Sequence, residues 1–160
     1  MANLGIVKKL FLVRHGEAEP NISNVKILTD KGKPQLQKTS EDIIKFGFRN
    51  TDCLMYSSIH RRAVESAIYL TDCLGGDFGK YIVADPGLEN SYDRLCKILS
   101  DERCPFTQLI IVSHLEFLNN MPARLRRSRF NLTDTPEDFG QNPGKGVFID
   151  LTNGEYSRLG

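Results

Sequence analysis

Short apolar runs alternate along this chain with longer stretches whose apolar residues recur at helical spacing. Each run is shorter than an ordinary helix, as expected of strands that are buried inside a sheet. Four such runs precede the C-terminal region: Lys9–Val13, Cys53–Tyr56, Tyr81–Val83 and Leu109–Val112. This alternation of strands and helices predicts an α/β fold, a three-layer α/β/α sandwich with helices on both faces of a mostly parallel sheet.

The segments between these runs carry helix start and stop signals. Helices are predicted in four places: from about Thr29, a candidate N-cap, to Gly47; from Arg61 to Leu74; from Asn90 or Ser91 onward; and after His114. The last of these is expected to be short, because Pro122 either starts it or breaks it.

Three further segments are predicted from their turn-forming residues. The polar segment Glu17–Asn24 is expected to be a loop, and Asn131–Gly146 a long surface loop, since it is rich in Pro, Gly and Asp. The final segment, Val147–Ser157, reads as a closing hairpin around Asn153-Gly154 that adds at least one antiparallel strand.

The composition is typical of an ordinary globular protein. With 160 residues, 40% of them hydrophobic and 26% charged, residues 1–160 are expected to form a single domain. A net charge of +1 gives no reason to expect nucleic acid or a membrane as a partner. No apolar run is long enough to span a membrane, and Met1–Lys9 does not resemble a signal peptide, so a cytoplasmic location is expected. The four cysteines form no C-x-x-C pair, and no metal site is expected.

Polar clusters follow three of the predicted strands. Arg14-His15 comes after the first strand, Ser57-Ser58 leads to Arg61-Arg62 after the second, and Ser113-His114 follows the fourth. Ligands of parallel sheets bind beyond the carboxyl ends of the strands, so these side chains are expected to converge. Arginine binds anionic oxygens bidentately, and histidine is a nucleophile or proton donor near neutral pH. The pattern predicts a phosphate site with histidine chemistry.

These clusters resemble the motifs of the histidine phosphatase (phosphoglycerate mutase-like) superfamily. Leu12–Glu17 is similar to its Arg-His-Gly signature, Ser57–Ala67 to its serine pair followed by Arg-Ala, and Ile110–His114 to its buried strand ending in histidine. Leu28–Gly32 is similar to the Leu-Thr-x-x-Gly entry of its first helix. The four segments occur in the family's order and span most of the chain.

The resemblance implies roles for individual residues. His15 would be the nucleophile that takes the phosphoryl group as a covalent phosphohistidine. Arg14, Arg62 and His114 would complete the phosphate pocket and stabilise the charge on the equatorial oxygens. The resemblance implies no metal and no cofactor.

Two more residues have roles only in parts of the family. Asn21, six residues after His15, matches an asparagine that contacts phosphate in the mutase-type branch. Glu89 follows the third strand, where many members carry a proton donor, although the glycine that usually follows in mutases is missing here.

His60, Arg61 and one cluster of arginines are expected to have no part in the chemistry. His60 is expected to pack at a partly exposed position of the second motif, and Arg61 to be solvated, because the Arg-Ala register selects Arg62. One basic cluster is expected to be a solvated helix face, the alternative being that it steers a phosphorylated protein to the site; its members are Arg124, Arg126, Arg127 and Arg129.

The chain length narrows the choice within the family. Phosphoglycerate mutases are longer and use inserted segments to close over a small substrate, whereas the small phosphohistidine phosphatases act on phosphate presented by a protein. The short chain therefore favours a phosphohistidine phosphatase whose partner is a phosphorylated protein. The alternatives are a mutase or phosphatase of a small phosphorylated metabolite, and an inactive relative that only binds phosphorylated ligands.

Overall fold

The computed structural model describes residues 6–76 and 82–160. Within this part of the chain, eight strands are present: β1 (Lys9–Arg14), β2 (Ala18–Pro20), β3 (Lys26–Leu28), β4 (Cys53–Ser57), β5 (Val83–Ala84), β6 (Gln108–Ser113), β7 (Gly146–Asp150) and β8 (Tyr156–Leu159). The helices described are α1 (Gly32–Lys45), α2 (Arg61–Cys73), α3 (Tyr92–Leu99) and α4 (Leu115–Phe130).

The main sheet confirms the predicted class. Its described strands lie in the order β5-β4-β6-β1-β7-β8. Neighbours from β5 to β1 are parallel, whereas β7 runs antiparallel to both β1 and β8. The C-terminal hairpin therefore contributes the antiparallel strand that was expected of it.

Both faces of the central strand β1 are buried under helices. Leu10 and Leu12 lie in one apolar cluster with residues of α3 and α4, and Phe11 and Val13 lie in a second cluster with residues of α1 and α2. Side chains alternate between the faces of a strand, so a strand covered on both sides has a continuous apolar sequence. The three-layer arrangement follows from this burial.

The expected loop over Glu17–Asn24 is wrong in part. Strand β2 lies inside it and pairs antiparallel with β3, forming a two-stranded hairpin separate from the main sheet. The sequence did not predict a strand here because none of the strand residues of this hairpin is buried, so it lacks a buried apolar run. Pro20 is tolerated because it ends an edge strand, where no ladder donor is required.

Helix α4 is longer than the short helix expected around Pro122. It runs for 16 residues with Pro122 inside it. One face carries buried residues that pack on the sheet, among them Phe117, Leu118 and Met121. Burial of this face offsets the backbone hydrogen bond that proline removes, because most helix stability in proteins comes from packing.

The basic cluster on α4 is not uniformly solvated, as had been expected. Arg124 and Arg127 are exposed, but Arg126 is buried. Its guanidinium donates to the carbonyl of Gly154 at 2.7 Å and to the Asp134 carboxylate at 3.1 Å. Arg126 therefore links α4 to the loop before β7 and to the turn after it.

Smaller differences concern element ends. Helix α1 begins at Gly32 rather than at Thr29, although the Thr29 hydroxyl accepts the Gly32 N–H at 3.2 Å. The third strand is the two-residue β5, and Tyr81, which was assigned to it, lies outside the described residues. Among the described helices, none combines the length and apolar character needed to cross a bilayer.

Candidate active site

Three neighbouring strands bring the three motifs to one edge of the sheet. Beyond its pairing with β1, the end of β6 also binds the segments that follow β1 and β4. The His15 N–H donates to the carbonyl of Ser113, and the Ser58 N–H donates to the carbonyl of Val112, both at 2.9 Å. These backbone bonds place the first and second motifs beside His114, which directly follows Ser113.

The His15 ring is held in one tautomer. Its Nδ1 lies 2.8 Å from the carbonyl oxygen of Gly16, which can only accept, so Nδ1 carries the proton. The Nε of Arg62 donates to Nε2 of His15 at 3.3 Å. The lone pair of His15 is therefore on Nε2, the atom that lies next to Arg62.

Gly16 is required by close packing. A Cβ at this position would lie 2.7 Å from Cδ1 of Leu28 and 2.9 Å from the carbonyl oxygen of Gly32, where α1 begins. The Gly16 N–H donates to the hydroxyl of Ser66 on α2 at 3.0 Å. The loop that holds His15 is thus fixed against both helices of this face.

Arg14 is anchored by one end of its guanidinium. Nη1 donates to the carbonyls of Gly140 and Gln141 at 2.8 and 2.9 Å. Its Nε is buried and has no hydrogen-bond partner among the described residues. A buried donor without a partner is costly, and a phosphate oxygen would satisfy it.

His114 begins α4 and contributes a second unsatisfied atom. Its Nε2 lies 2.8 Å from the hydroxyl of Ser58, whereas its Nδ1 is buried without a partner in the described structure. The His114 and His15 rings meet edge to face with centroids 5.2 Å apart. His114 therefore lies beside the proposed nucleophile with one ring nitrogen available to a ligand.

The electrostatics keep both rings neutral. Burial lowers the pKa of His15 to about 4, and the charges of Arg62, Arg14 and Lys26 lower it further against the opposing bond to Gly16. Burial, followed by His15 and Arg62, lowers the pKa of His114 to about 3. At neutral pH the imidazole rings of His15 and His114 are uncharged, so the positive charges near them are those of the arginines and Lys26.

The surrounding pocket has a volume of about 430 Å³. It contains five of the six site residues predicted from the sequence, namely Arg14, His15, Arg62, Glu89 and His114. Asn21 is not among its lining residues. Instead, the Asn21 amide oxygen accepts the N–H groups of Ser23 and Val25 at 2.9 and 3.0 Å, which holds the turn of the β2–β3 hairpin.

Several lining residues, among them Lys26 and His60, are not among the site residues predicted from the sequence. Lys26, on β3, reaches the pocket because the hairpin folds over it, and nothing in the sequence marks this long-range contact. His60 is partly exposed and its ring packs on His114, as expected, but it also lines the pocket and bonds Glu89. Its position inside the second motif was the available signal. Arg61 is exposed and pairs with Glu65, in agreement with the solvated role expected of it.

No family model and no curated protein sequence matches the chain. Solved structures resemble it over nearly its whole length. The protein histidine phosphatase SixA complexed with tungstate has a TM-score of 0.69 at 15% identity, covering 94% of this chain and 96% of that one. A mycobacterial glucosyl-3-phosphoglycerate phosphatase with VO3 has a TM-score of 0.58 at 15% identity, covering 95% and 97%. The ecdysone phosphate phosphatase of Bombyx mori with tungstate has a TM-score of 0.56 at 17% identity, covering 94% and 88%.

These three neighbours share an architecture with this chain and differ in the substrates for which they are named. Tungstate and VO3, which are named in these structures, are oxyanions, as phosphate is. At such low identity the likeness concerns the arrangement of strands and helices, in agreement with the sheet order described above. The chain has the fold of the histidine phosphatase superfamily, the fold of the SixA phosphohistidine phosphatases.

Proposed function

We propose that this chain is a phosphatase that forms a covalent phosphohistidine at His15 and acts on phosphohistidine in proteins. The observation that carries the proposal is the His15 ring itself. Its Nδ1–H is bonded to Gly16, and the lone pair of Nε2 lies beside Arg62 in a pocket that Arg14 also lines. A neutral imidazole next to arginines has both the nucleophile and the anion site that phosphoryl transfer needs.

In the first step the phosphoryl group binds among Arg14, Arg62 and His114. Nε2 of His15 attacks phosphorus while the bond from phosphorus to the leaving group breaks. The charge on the three equatorial oxygens is stabilised by the two guanidinium groups and by an N–H of His114. The unpartnered Nε of Arg14 and Nδ1 of His114 supply the donors for these oxygens.

In the second step water attacks the phosphorus of the phosphohistidine. The N–P bond breaks, Nε2 regains its lone pair, and the proton lost by the water passes to a base in the pocket or to solvent before phosphate leaves. The bond from Nδ1 to the Gly16 carbonyl holds the ring in the same position throughout, so the leaving nitrogen is the one that attacked. Charge on the released phosphate is again paired with the arginines.

A protein substrate is supported by the surroundings of the pocket. Exposed apolar side chains are adjacent to pocket residues: Val25 is next to Lys26, Ile59 is next to His60, and Leu115 itself lines the pocket. Apolar groups at the rim of a charged site suit contact with another protein. A phosphohistidine leaving group can already carry a proton near neutral pH, which reduces the need for acid catalysis.

A phosphatase or mutase of a small phosphorylated metabolite is the second candidate. It is favoured by one observation, the contact between His60 and Glu89 inside the pocket, because an ester leaving group needs a proton more than phosphohistidine does. Two of the structural neighbours are named for esters, glucosyl-3-phosphoglycerate and ecdysone phosphate.

The test is phosphate release by the purified protein from a phosphohistidine-bearing protein and from an aryl phosphate. His15→Ala is expected to lose turnover on both by more than about 100-fold, because a deleted nucleophile disables the whole catalytic group. Wild-type protein incubated with labelled substrate and quenched in alkaline denaturant should retain label at His15 that is stable to base and labile to acid, and the variant should not.

The outcomes separate the candidates. Faster release from phosphohistidine supports the protein phosphatase, and activity on the aryl ester alone supports the metabolite phosphatase. Full activity in His15→Ala would refute the mechanism. If the wild type binds phosphate but releases none from either substrate, the chain is the inactive phospho-ligand binder instead.

A further inference from the structure

Two pocket residues outside the phosphate-binding group are bonded to each other. Nε2 of His60 is hydrogen bonded to Oε1 of Glu89, and both residues line the pocket. An ionised carboxylate only accepts, so the shared proton lies on Nε2 of His60. A second proton on this ring must then be on Nδ1.

His60 is fixed relative to the reacting histidines. Its backbone N–H donates to the hydroxyl of Ser58 at 3.3 Å, and the same hydroxyl is hydrogen bonded to Nε2 of His114 at 2.8 Å. The rings of His60 and His114 meet edge to face at 5.1 Å, and His114 meets His15 in the same way at 5.2 Å. The three histidines therefore form a contiguous row in the pocket.

Glu89 is positioned by the end of β6. It is the last residue of the 3-10 turn Pro86–Glu89, and the carbonyl of the preceding Leu88 accepts the hydroxyl proton of Ser113. Asp85 caps the turn by accepting the Gly87 N–H at 2.8 Å. The backbone turn that carries Glu89 is thus tied to β6, the strand directly before His114.

Stability does not account for this pair. The side chains of His60 and Glu89 are 44% and 47% exposed, and ion pairs that exposed contribute little to folding. Both side chains open onto the pocket where a substrate would bind. Their arrangement, a carboxylate that orients an imidazole, is one that enzymes use for proton transfer.

We propose that His60 donates the proton that the leaving group takes up and that Glu89 orients His60 and stabilises its charged form. This inference rests on the proposed function. His60 is then a catalytic residue, and Glu89 is a positioning residue that acts through it. The role differs from that of a carboxylic acid protonating the leaving group directly.

The proton count closes over the cycle. In the first step Nε2 of His15 forms its bond to phosphorus, the P–O bond to the leaving group breaks, and the leaving oxygen takes the Nδ1 proton of the His60 imidazolium. In the second step water attacks phosphorus, the N–P bond breaks, and the proton lost by the water returns to Nδ1 of His60. The products are an alcohol and phosphate.

The His60–Glu89 pair should widen the range of phosphorylated substrates that this site can hydrolyse. A leaving group of low acidity departs as an unstable anion unless it is protonated, whereas phosphohistidine leaves as an imidazole that can already carry its proton. With His60 as donor, the site should hydrolyse phosphomonoesters as well as phosphohistidine. His60 should matter for the first class and much less for the second.

The experiment compares kcat/KM over a series of aryl phosphates, from 4-nitrophenyl phosphate to phenyl phosphate, and for a phosphohistidine protein. Phenol has a pKa of about 10, like tyrosine, and depends most on the proton donor. His60→Gln is expected to lose about 100-fold on phenyl phosphate, in line with general acid catalysis, and only a few-fold on the 4-nitrophenyl ester and on phosphohistidine.

Glu89→Gln should also lower kcat/KM more on phenyl phosphate than on 4-nitrophenyl phosphate, but by a smaller factor than His60→Gln does. Glu41→Gln is the matched control, since Glu41 is exposed on α1 and outside the pocket, and it should leave the series unchanged. Both variants change exposed side chains, so circular dichroism should show that folding is intact.

Each result either supports or overturns the assignment of His60 as the proton donor. A steeper dependence on leaving-group acidity in His60→Gln supports the proposal, and an equal loss on every substrate overturns it, because such a loss indicates binding rather than proton donation. An unchanged series refutes His60 as donor while the proposed function stands. If the wild type hydrolyses none of these phosphates, the proposed function fails and this inference fails with it.

Discussion

At the scale of single residues, burial and neighbouring cations determine what His15 can do. The ring is 8% exposed and lies beside Arg62, so that its proton affinity is low and its lone pair is available at neutral pH. Two sequence features predicted this, an adjacent arginine and a position at the end of a buried strand. The hydrogen bond that selects the tautomer depends on the path of the chain after His15 and could not be predicted from residue types.

The lowered pKa of His15 has a consequence for stability. The unfolded chain takes up a proton at His15 near its ordinary pKa of 6.5, and the folded chain only near 4. As pH falls from 6.5 towards 4, protons therefore favour the unfolded state, and His15 should lower the free energy of unfolding by at most about 1.4 kcal/mol per pH unit.

Urea unfolding of the wild type and of His15→Gln at several pH values measures this effect. Carboxylates titrate in both proteins, so the difference between them isolates His15. The wild type should lose stability relative to the variant as pH falls through this window. A difference that does not change with pH would contradict the depressed pKa.

At the scale of secondary-structure elements, α4 shows how one buried charge can order a loop. Nε of Arg126 donates to the Gly154 carbonyl, and Nη1 donates to Asp134 and to the hydroxyl of Thr135. Its guanidinium also lies over the ring of Tyr156, 4.6 Å from the centroid. These contacts hold the segment before β7, whose carbonyls at 140 and 141 anchor Arg14.

Replacing Arg126 with lysine should therefore destabilise the protein. A single ammonium group cannot reach both the Gly154 carbonyl and the Asp134 side chain, and a buried carbonyl left unsatisfied costs about 1–3 kcal/mol. Arg127→Lys, at the exposed neighbouring position, is the matched control and should change stability by less than about 0.5 kcal/mol. Equal urea midpoints for the two variants would contradict the structural role of Arg126.

At the scale of the whole molecule, the fold places three cations around His15, although the chain is nearly neutral and three carboxylates, Glu17, Glu89 and Glu116, line the same pocket. The net charge is +1, but Arg14, Arg62 and Lys26 all line one pocket, where they lower the pKa of His15. Burial, with Arg62 close by, lowers the pKa of Arg14 as well. Such crowding of like charges is relieved by a bound anion.

Inorganic phosphate should therefore stabilise the folded protein. At a concentration 100 times the Kd the gain is about 2.7 kcal/mol, which for a domain of this size raises the Tm by roughly 5–10 °C. Thermal unfolding should show this shift in the wild type and in Arg61→Gln, whose arginine is exposed and outside the pocket lining. Arg62→Gln should lose most of it. A shift of equal size in all three proteins would place the anion elsewhere.

The sequence by itself determined the three-layer α/β/α class of this protein and the approximate positions of its main-sheet strands. Local apolar runs and turn residues are sufficient for this prediction, because buried strands and amphipathic helices each have a characteristic spacing of apolar residues. The sequence also predicted the pocket residues Arg14, His15 and His114, which lie at the ends of buried strands. Arg62 and Glu89 were predicted by the resemblance to the family's motifs.

Only the tertiary structure decided the remaining features. Lys26 enters the pocket, and Asn21 stays on its own turn, because the β2–β3 hairpin folds over the sheet edge. His60 pairs with Glu89, and Arg126 is buried, through contacts between segments that are far apart in the chain. Contacts of this kind depend on how the elements pack in three dimensions, which local periodicity and residue type do not encode.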